Sequence, residues 1–451
     1  MWIPSRAQGL VIALTVPMLA CKFPELPPIT ETDAETDAAT DAGPVDVPIE
    51  CTPSTTTCTG STLVVCDAAG VATVSTCGFG CASSNDRCSD LAPSNGLGTY
   101  LDQSATAQPL TLTGNASIDT TSGTVTNGDG SNVVVTSTML PTTPVPLMVV
   151  SVRSLDVGNV TVRGTRALAI LVDGNATFHG TFSANATSFT PGPGSSLLVE
   201  CDAGNGSANT NGGSGSGGGG FGGLGGSGGN GGGGTVGGGG GSVRGDTTLV
   251  PLRTGCPGGV PNAMPSDTYR REGGGGGAIQ VSARGRITIG PGAFLSANGG
   301  GAKSYTDSFL FTCQTTTGQP QTCHQGAGGG AGGGILVEAS SIQIATSGGF
   351  VANGGAGHCG SHGQAPDGAL SETPAPGSSC TAYTAVGNGG SGAGGTTIPA
   401  AGGSATGQNG QGGGGGGGPG RIRINLPTGT TVDPGPPVIS PLPSLGIAAT
   451  R

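Results

Sequence analysis

The sequence predicts an all-β protein: a right-handed parallel β-helix with glycine-rich insertions, preceded by a small disulfide-rich module and a disordered tether. Three observations support this prediction. Short runs of alternating apolar residues recur along the chain, glycine accounts for 95 of 451 residues, and aromatic residues make up only 3%. A chain with so few large side chains does not fill one compact core over this length, so we expect a thin, repetitive fold.

Residues 1–20 predict a lipoprotein signal peptide. Arg6 supplies a positive charge, and residues 9–20 (GLVIALTVPMLA) form an apolar stretch too short to span a bilayer. The stretch ends in Met18-Leu19-Ala20-Cys21, which resembles the lipobox of bacterial lipoproteins, with the leucine displaced from its usual position. We therefore expect Cys21 to be the lipid attachment site. An ordinary signal peptide, in which Cys21 has no role, is the alternative.

Residues 21–50 predict an acidic, disordered tether. Residues 22–50 contain eight acidic residues and one basic residue, and prolines flank the repeated Thr-Asp-Ala sequence. Prolines and like charges four residues apart both oppose a helix, so this segment is expected to stay extended and solvated. Lys22 directly after Cys21 resembles the pattern of lipoproteins that are sent to the outer membrane.

The net charge of the whole chain is -10, and most of it lies in the tether. The remainder of the chain is nearly neutral and has no basic region that could hold nucleic acid. We therefore expect no nucleic-acid partner.

The 13 cysteines separate into Cys21 and two groups of six. An exported chain meets an oxidising compartment, so disulfides are expected in both groups. The first group lies in a compact module, residues 51–90, around a predicted hairpin at 63–74; its pairing stays open among the fifteen that six cysteines allow. A zinc site is the alternative there, although the module contains no histidine. The first group comprises Cys51, Cys58, Cys66, Cys77, Cys81 and Cys88.

Residues 95–430 predict the β-helix, because the same strand pattern returns several times. The segment AIQVSARGRITIGPGAFLSANGG (278–300) aligns with GILVEASSIQIATSGGFVANGG (334–355), an earlier copy lies at 167–185, and a truncated copy lies at 418–427. One such unit cannot bury its apolar residues, whereas stacked units form a continuous core. Three glycine-rich insertions, 186–277, 299–334 and 354–420, interrupt the strands, and a Pro-rich tail follows at 431–451. We expect the glycine tracts within them to be mobile.

Each insertion contains two cysteines of the second group. One disulfide closing each insertion is therefore predicted, pairing Cys201 with Cys256, Cys313 with Cys323, and Cys359 with Cys380.

The tether, the six-cysteine module and the glycine-flanked units that end in Gly420-Arg421-Ile422-Arg423-Ile424-Asn425 resemble glycine-rich β-helical surface lipoproteins of Gram-negative soil bacteria. The resemblance covers nearly the whole chain. It implies a location and a shape but no activity.

No catalytic constellation stands out in the sequence, and we predict a non-enzymatic protein without cofactors. Its expected place is the outer membrane, lipid-anchored and facing the cell surface or the periplasm. Its expected role is envelope structure or adhesion, with an extracellular polysaccharide or a cell-surface molecule as partner. No metal is expected; the alternative is a site made by His324, His358 and His362 near Cys323 and Cys359.

A polysaccharide-active lyase or hydrolase is the alternative function, since some parallel β-helices carry such activities. These reactions need clustered carboxylates, whereas the acids of the strand segments (Asp156, Asp173 and Glu338) are isolated in the sequence. Any one of these carboxylates within reach of another acid in a groove would favour the enzyme.

Overall fold

The structure is a computed structural model. It describes residues 51–451 except 143, 196–199, 210–211, 262–271, 304–310, 315–319, 324, 360–363, 381–384, 408 and 435–436. The side chains of 208–209, 311–314, 320–323 and 434 are also outside the description. The predicted signal peptide, Cys21 and the tether lie outside the described residues.

The module is a three-stranded antiparallel sheet of β1 (Thr56–Thr59), β2 (Thr62–Cys66) and β3 (Ala72–Thr76). The predicted hairpin is confirmed: β2 pairs with β3, and the side chain of Asp67 accepts hydrogen bonds from two backbone N–H groups of the connecting turn. Strand β1 was not predicted. A helix, α1 (Gly98–Ser104), follows the module and is the one α-helix among the described residues.

The body is all-β, and most of its strands join in a single sheet. The strands before the first insertion are β4 (Leu110–Asp119), β5 (Thr124–Thr126), β6 (Asn132–Val133), β7 (Thr136–Leu140), β8 (Leu147–Val152), β9 (Leu155–Arg163), β10 (Ala167–Val172), β11 (Ala176–Phe178) and β12 (Thr181–Ser183). The later strands of this sheet are separated by the insertions and by short connections. They are β15 (Ala278–Ile289), β16 (Phe294–Ser296), β19 (Gly334–Ile344), β20 (Gly349–Val351), β21 (Arg421–Leu426), β22 (Asp433–Pro434), β23 (Val438–Ser440) and β24 (Ser444–Ile447).

Two separate antiparallel hairpins lie in the insertions: β13 (Ala208–Asn209) with β14 (Gly212–Gly213), and β17 (Phe311–Gln314) with β18 (Pro320–Cys323). Single turns of 3₁₀ geometry occur at Ser94–Gly96 and Gly232–Gly234.

The large sheet consists of three parallel ladders, which we call the strand stack. The first runs β8, β10, β15, β19, β21, β24. The second passes through β4, β9, β11, the second halves of β15 and β19, and β22. The third runs from the ends of β4 and β9 through β12, β16, β20 and β23. The antiparallel strands β5, β6 and β7 lie at the N-terminal end of the stack.

The aligned repeats are neighbours in register. Ile279, Ile287 and Ile289 pair with Ile335, Ile342 and Ile344, as the sequence alignment predicts. The one-residue offset between the copies appears as a bulge after Ala283. The Ala-Asn ends of the copies also stack. The backbone N–H of Asn298 donates to the side-chain oxygen of Asn185 at 2.6 Å, and that of Asn353 donates to the side-chain oxygen of Asn298 at 2.7 Å.

The first ladder of the strand stack is buried on both of its faces. Alternate residues of β10 (Leu168, Ile170 and Val172) lie in the interior core, while Ala167, Ala169 and Leu171 belong to a second apolar cluster outside the first ladder. That outer cluster is closed by the segment around α1 and by residues of the first insertion, among them Phe221 and Leu252. This explains why β10 is apolar without alternation, as expected for a strand buried on both sides.

The segment 431–451 is part of the body, not a separate tail. β22, β23 and β24 extend the three ladders, and Leu91 forms a β-bridge with Thr450. The end of the chain therefore lies beside the residues that leave the module.

Candidate binding face on the glycine bundle

The glycine tracts of the three insertions are ordered and packed against one another, which corrects the predicted mobility. The clearest example is residues 412–418, here called the central tract, in which every residue is buried. All seven N–H groups of this tract donate to backbone carbonyls, and all seven of its carbonyls accept from backbone N–H groups, at 2.8–3.0 Å. We call the packed tracts the glycine bundle.

The hydrogen bonds of the central tract repeat every three residues. Gly412, Gly415 and Gly418 donate to residues 213, 216 and 219; Gly413 and Gly416 donate to 403 and 400; Gly414 and Gly417 donate to 358 and 355. Its carbonyls accept hydrogen bonds with the same period of three residues, from tracts 326–332, 226–229 and 390–393. Six tracts therefore surround it. Three residues per turn is the geometry of a polyproline II chain, which has no internal hydrogen bonds and must bond to neighbours.

Glycine is required inside this bundle because the chains approach too closely for a side chain. A Cβ atom built on Gly416 would lie 1.8 Å from the carbonyl oxygen of Ser391, and one on Gly414 would lie 1.9 Å from that of Ala327. Both contacts are with backbone, which cannot give way as a flexible side chain would. The insertions are therefore rich in glycine because their chains lie close enough to hydrogen-bond to one another directly, which leaves no room for side chains.

Side chains occur where the bundle meets solvent. Three tracts lie side by side: residues 225 and 228 donate to 241 and 238, and residues 402 and 405 donate to 227 and 230. Each tract has exposed residues at every third position; Ala400 and Val243, beside two of these positions, are exposed as well. We call these positions the outer face: Leu224, Ser227, Asn230, Val236, Gly239, Ser242, Ile398, Ala401 and Ser404.

The outer face is uncharged and carries exposed apolar side chains. Leu224, Val236 and Ile398 are 61%, 73% and 80% exposed. No acidic or basic residue occurs in the stretches 203–243 and 373–420 of the sequence. At about 3.1 Å per residue, every third residue places one side chain about every 9 Å along a tract. The arrangement suits a neutral ligand contacted by van der Waals packing and hydroxyl or amide hydrogen bonds.

Charged residues border this face at one edge. Asp202 accepts a hydrogen bond from the backbone N–H of Ser242 at 2.9 Å and pairs with Arg244 at 3.0 Å. These contacts lower the pKa of Asp202 to about 2, and the hydrogen bond from the Ser242 N–H has the largest effect. Next to it, Arg253 pairs with Glu200 at 2.7 Å.

Disulfides close the insertions as predicted where the structure describes them. Cys201 is bonded to Cys256 and Cys359 to Cys380, with Cα–Cα distances of 5.6 and 5.8 Å. The side chains of Cys313 and Cys323 lie outside the described residues, so their pairing remains a prediction. In the module the bonds are Cys51–Cys66, Cys58–Cys81 and Cys77–Cys88.

The acids of the strand segments have separate environments. Asp156 is exposed and pairs with His179 at 3.0 Å. Glu338 is fully buried on the outside of the stack, where it accepts from the N–H and hydroxyl groups of Ser94 at 3.0 and 2.7 Å. It also accepts from three other side chains, those of Gln280, Ser282 and Asn425, at 2.8–3.2 Å.

Asp173 joins a cluster that the sequence did not reveal. Its carboxylate pairs with Arg284 at 2.6 Å, and Arg284 also contacts Asp90 and Asp102, at 2.7 and 2.9 Å. The C-terminal residue, Arg451, contacts Asp90 at 2.9 Å and also pairs with Asp102. The members lie far apart in the chain, at 90–102, 173, 284 and 451, so spacing gave no signal for them.

This cluster favours the ionised form of two of its carboxylates, those of Asp90 and Asp102. Burial of Asp90 alone would raise its pKa, but the hydrogen bonds from Arg284 and Arg451 outweigh it and the pKa is lowered. The hydrogen bond from Arg451, with that from Arg284, likewise lowers the pKa of Asp102. Two carboxyls with lowered pKa values do not provide the protonated group that general acid catalysis needs. The cluster instead ties the module, α1, the stack and the C-terminus together.

Of the predicted alternative metal ligands, only His358 is described; it is buried in the bundle, and its carbonyl accepts from Gly414. His324 and His362 lie outside the described residues. Among the residues described, the one group of side chains close enough to share a metal is Cys58, Cys77 and Cys81, and all three are in disulfides.

The outer face was missed at the sequence level, although a signal was present. The stretch Leu224-Gly-Gly-Ser227-Gly-Gly-Asn230 places a side chain at every third position, which is the period of the exposed residues. This period was the one signal of the outer face that the sequence offered.

Comparisons with known proteins identify no relative: no family model, no curated protein and no solved structure matches the chain. In the part of the chain that the structure describes, no helix has the length and apolar character to cross a membrane.

Proposed function

We propose that the protein is a non-enzymatic, lipid-anchored component of the cell surface that binds a neutral partner through the outer face of its glycine bundle. The observation that carries this proposal is the period of three in the exposed residues on adjacent ordered tracts. An uncharged surface on adjacent, hydrogen-bonded tracts suits adhesion to an extended, uncharged polymer such as a matrix polysaccharide.

The architecture proposed for the scaffold is a right-handed parallel β-helix. Three parallel ladders with one strand of each turn in each ladder support this architecture. The crossover connection between two parallel strands of one sheet is right-handed in about 98% of cases, which supports a right-handed helix. The three insertions depart from equivalent positions of successive turns, after β12, β16 and β20, so such a scaffold would bring them together on one side.

The anchor is proposed from Cys21 and the acidic tether. Cys21→Ala is expected to release the protein from the membrane fraction, because one cysteine would carry the acyl chains that hold it there. Membrane pelleting of the variant at the wild-type level would overturn the anchor without affecting the binding face.

The binding face is tested with Leu224→Glu and Ile398→Glu, singly and together. Both residues are highly exposed, so the variants are expected to fold like the wild type. Binding to insoluble neutral polysaccharide and to purified cell envelope, measured by co-sedimentation, is expected to fall at least tenfold in the double variant. The matched control is Val134→Glu, which alters a 95% exposed valine between β6 and β7, away from the bundle. Equal binding by the double variant and the control would reject the outer face.

The alternative, a polysaccharide-active enzyme, has less support. Asp173 does share Arg284 with Asp90 and Asp102, and an acid within reach of other acids favours an enzyme where they line a groove. However, the arginines in the cluster neutralise these groups, and the lowered pKa values of Asp90 and Asp102 leave both unsuited to act as general acids. Release of soluble sugars from any of the tested polysaccharides would reverse this preference.

A further inference from the structure

The module holds two disulfides in contact with each other. The Sγ atom of Cys58, bonded to Cys81, lies 3.6 Å from the Sγ atom of Cys77, which is bonded to Cys88. The sulfurs of Cys58, Cys77 and Cys81 lie within 4.8 Å of one another. Because thiol–disulfide exchange proceeds by attack of one sulfur on another, this spacing sets the two bonds within reach of exchange.

If Cys58 were bonded to Cys77, Cys81 and Cys88 would be left, and these two are also suitably placed for a disulfide. Cys81 and Cys88 form an antiparallel β-bridge, flanked by hydrogen bonds from Ala82 N–H to Arg87 and from Ser89 N–H to Gly80. Cys81 and Cys88 are therefore a non-hydrogen-bonded pair of an antiparallel ladder, and the Cα atoms of such a pair lie about 4.5 Å apart. That distance lies within the range that a disulfide spans.

We propose that these four cysteines form a thiol–disulfide exchange site with two connectivities on one backbone. The first is Cys58–Cys81 with Cys77–Cys88, as in the structure, and the second is Cys58–Cys77 with Cys81–Cys88. The third disulfide of the module, Cys51–Cys66, takes no part, because neither of its sulfurs is among the three close ones or is bonded to one of them.

A small thiol catalyses the exchange and is regenerated. Its thiolate attacks Cys88, which is half-buried, forming a mixed disulfide and releasing Cys77 as a thiolate. Cys77 then attacks Cys58, forming the Cys58–Cys77 bond and releasing Cys81. Cys81 attacks Cys88 in the mixed disulfide, which forms the Cys81–Cys88 bond and returns the thiolate. Three bonds form and three break, so no net oxidation or reduction occurs.

The backbone around the site supports both pairings. Cys58 N–H donates to Asn85, Cys77 N–H to Ser61 and Cys81 N–H to Gly60, all carbonyls of the module. None of these bonds involves a side chain that changes partner. The two isomers therefore differ in their sulfur positions and not in the fold, and a thiol of the environment interconverts them without unfolding the module.

The test uses Cys88→Ser in the full-length chain. This substitution frees Cys77 next to the Cys58–Cys81 bond, so the free thiol is expected to move between Cys77 and Cys81 without added reagent. Alkylation followed by peptide mapping should find label at both positions, within about tenfold of each other, because both pairings fit the same backbone. Label at Cys77 alone would overturn the proposal.

The matched control is Cys66→Ser, which frees Cys51 instead. Cys51 lies against the carbonyl of Gly70 and outside the sulfur group, so label is expected at Cys51 alone. Wild-type protein with a catalytic amount of β-mercaptoethanol provides a second measurement that does not depend on a variant folding. Crosslinked peptides joining Cys58 to Cys77 and Cys81 to Cys88 are expected to accumulate. Scrambling that includes Cys51 or Cys66, or no new crosslink at all, would contradict the site.

Discussion

The strand stack and the glycine bundle solve the same problem in opposite ways. In both, extended chains satisfy their backbone hydrogen bonds through neighbours and not within themselves. The stack forms three ladders and then buries side chains such as Ile289 and Ile344 between them. In the bundle, six neighbouring tracts surround the central tract, which has no side chains to bury.

The difference shows what limits each region. The stack depends on apolar volume at alternate positions, so one aliphatic residue can replace another. The bundle depends on the absence of side-chain volume throughout the central tract and between the outer-face positions of the surface tracts. The outer-face positions themselves face solvent and accept larger side chains such as Leu224 and Ile398. Stability and surface chemistry are therefore separable in the bundle, which makes its outer face a suitable place for function to vary.

The largest expected effect comes from placing a charge inside the stack. Ile344 is buried between Ile289 and the strand of β22, and Ile344→Asp would leave a carboxylate there without a partner. We expect a loss of about 4 kcal/mol in the free energy of unfolding, measured by chemical denaturation. The control is Gln343→Glu, an exposed neighbour on the same strand, which should change it little. Equal losses in both variants would mean that no apolar interior exists.

A single methyl group should destabilise the bundle. Gly416→Ala is expected to cost about 3 kcal/mol or more, because the added atom would overlap the carbonyl oxygen of Ser391 and force the tracts apart. Limited proteolysis of the insertions reports the opening. Gly239→Ala is the matched control, since no atom lies within 4 Å of the added Cβ. If the two variants are equally stable, the tracts are not packed as described.

The outer surface of the stack offers an intermediate case. Glu338→Gln keeps the shape of the side chain but turns one acceptor into a donor facing Ser94 and the other donors around it. We expect a loss of about 2 kcal/mol in the free energy of unfolding, by thermal or chemical denaturation. Asp156→Asn, which alters an exposed acid of the same stack, should cost less than about 0.5 kcal/mol. A neutral Glu338→Gln variant would show that the buried carboxylate is not needed.

The smallest effect concerns pH at the edge of the outer face. The pKa of Asp202 is about 2 in the folded chain, below its unfolded value of about 3.9, so its stabilising contribution is present above about pH 4. That contribution is lost as the pH falls from about 4 towards 2. Because the side chain is partly exposed, the loss should stay below about 1 kcal/mol. Thermal unfolding across this range should be less pH-dependent in Asp202→Asn; an unchanged dependence would assign the effect to other groups, such as Asp90 and Asp102.

Much of the fold was predictable because its signals are local. The alternation of apolar residues in 278–289 and 334–344 identifies the strands, and the spacing of the copies sets their register, which the structure confirms. The pairs Cys201–Cys256 and Cys359–Cys380 followed from two cysteines in each insertion. The order of the glycine tracts did not follow, since glycine runs have the same composition in a flexible linker and in a packed bundle.

The sequence by itself determined which segments form strands, where the insertions begin and end, and that charge is absent from the glycine-rich stretches. Only the tertiary structure decided that residues 213–219, 326–332 and 412–418 bond to one another, and that Asp90, Asp173, Arg284 and Arg451 meet. The physical reason is that side-chain patterns record which face of a strand is buried, whereas backbone hydrogen bonds between glycines carry no side-chain signature. Which tract lies beside which is set by the stack that brings the insertions together.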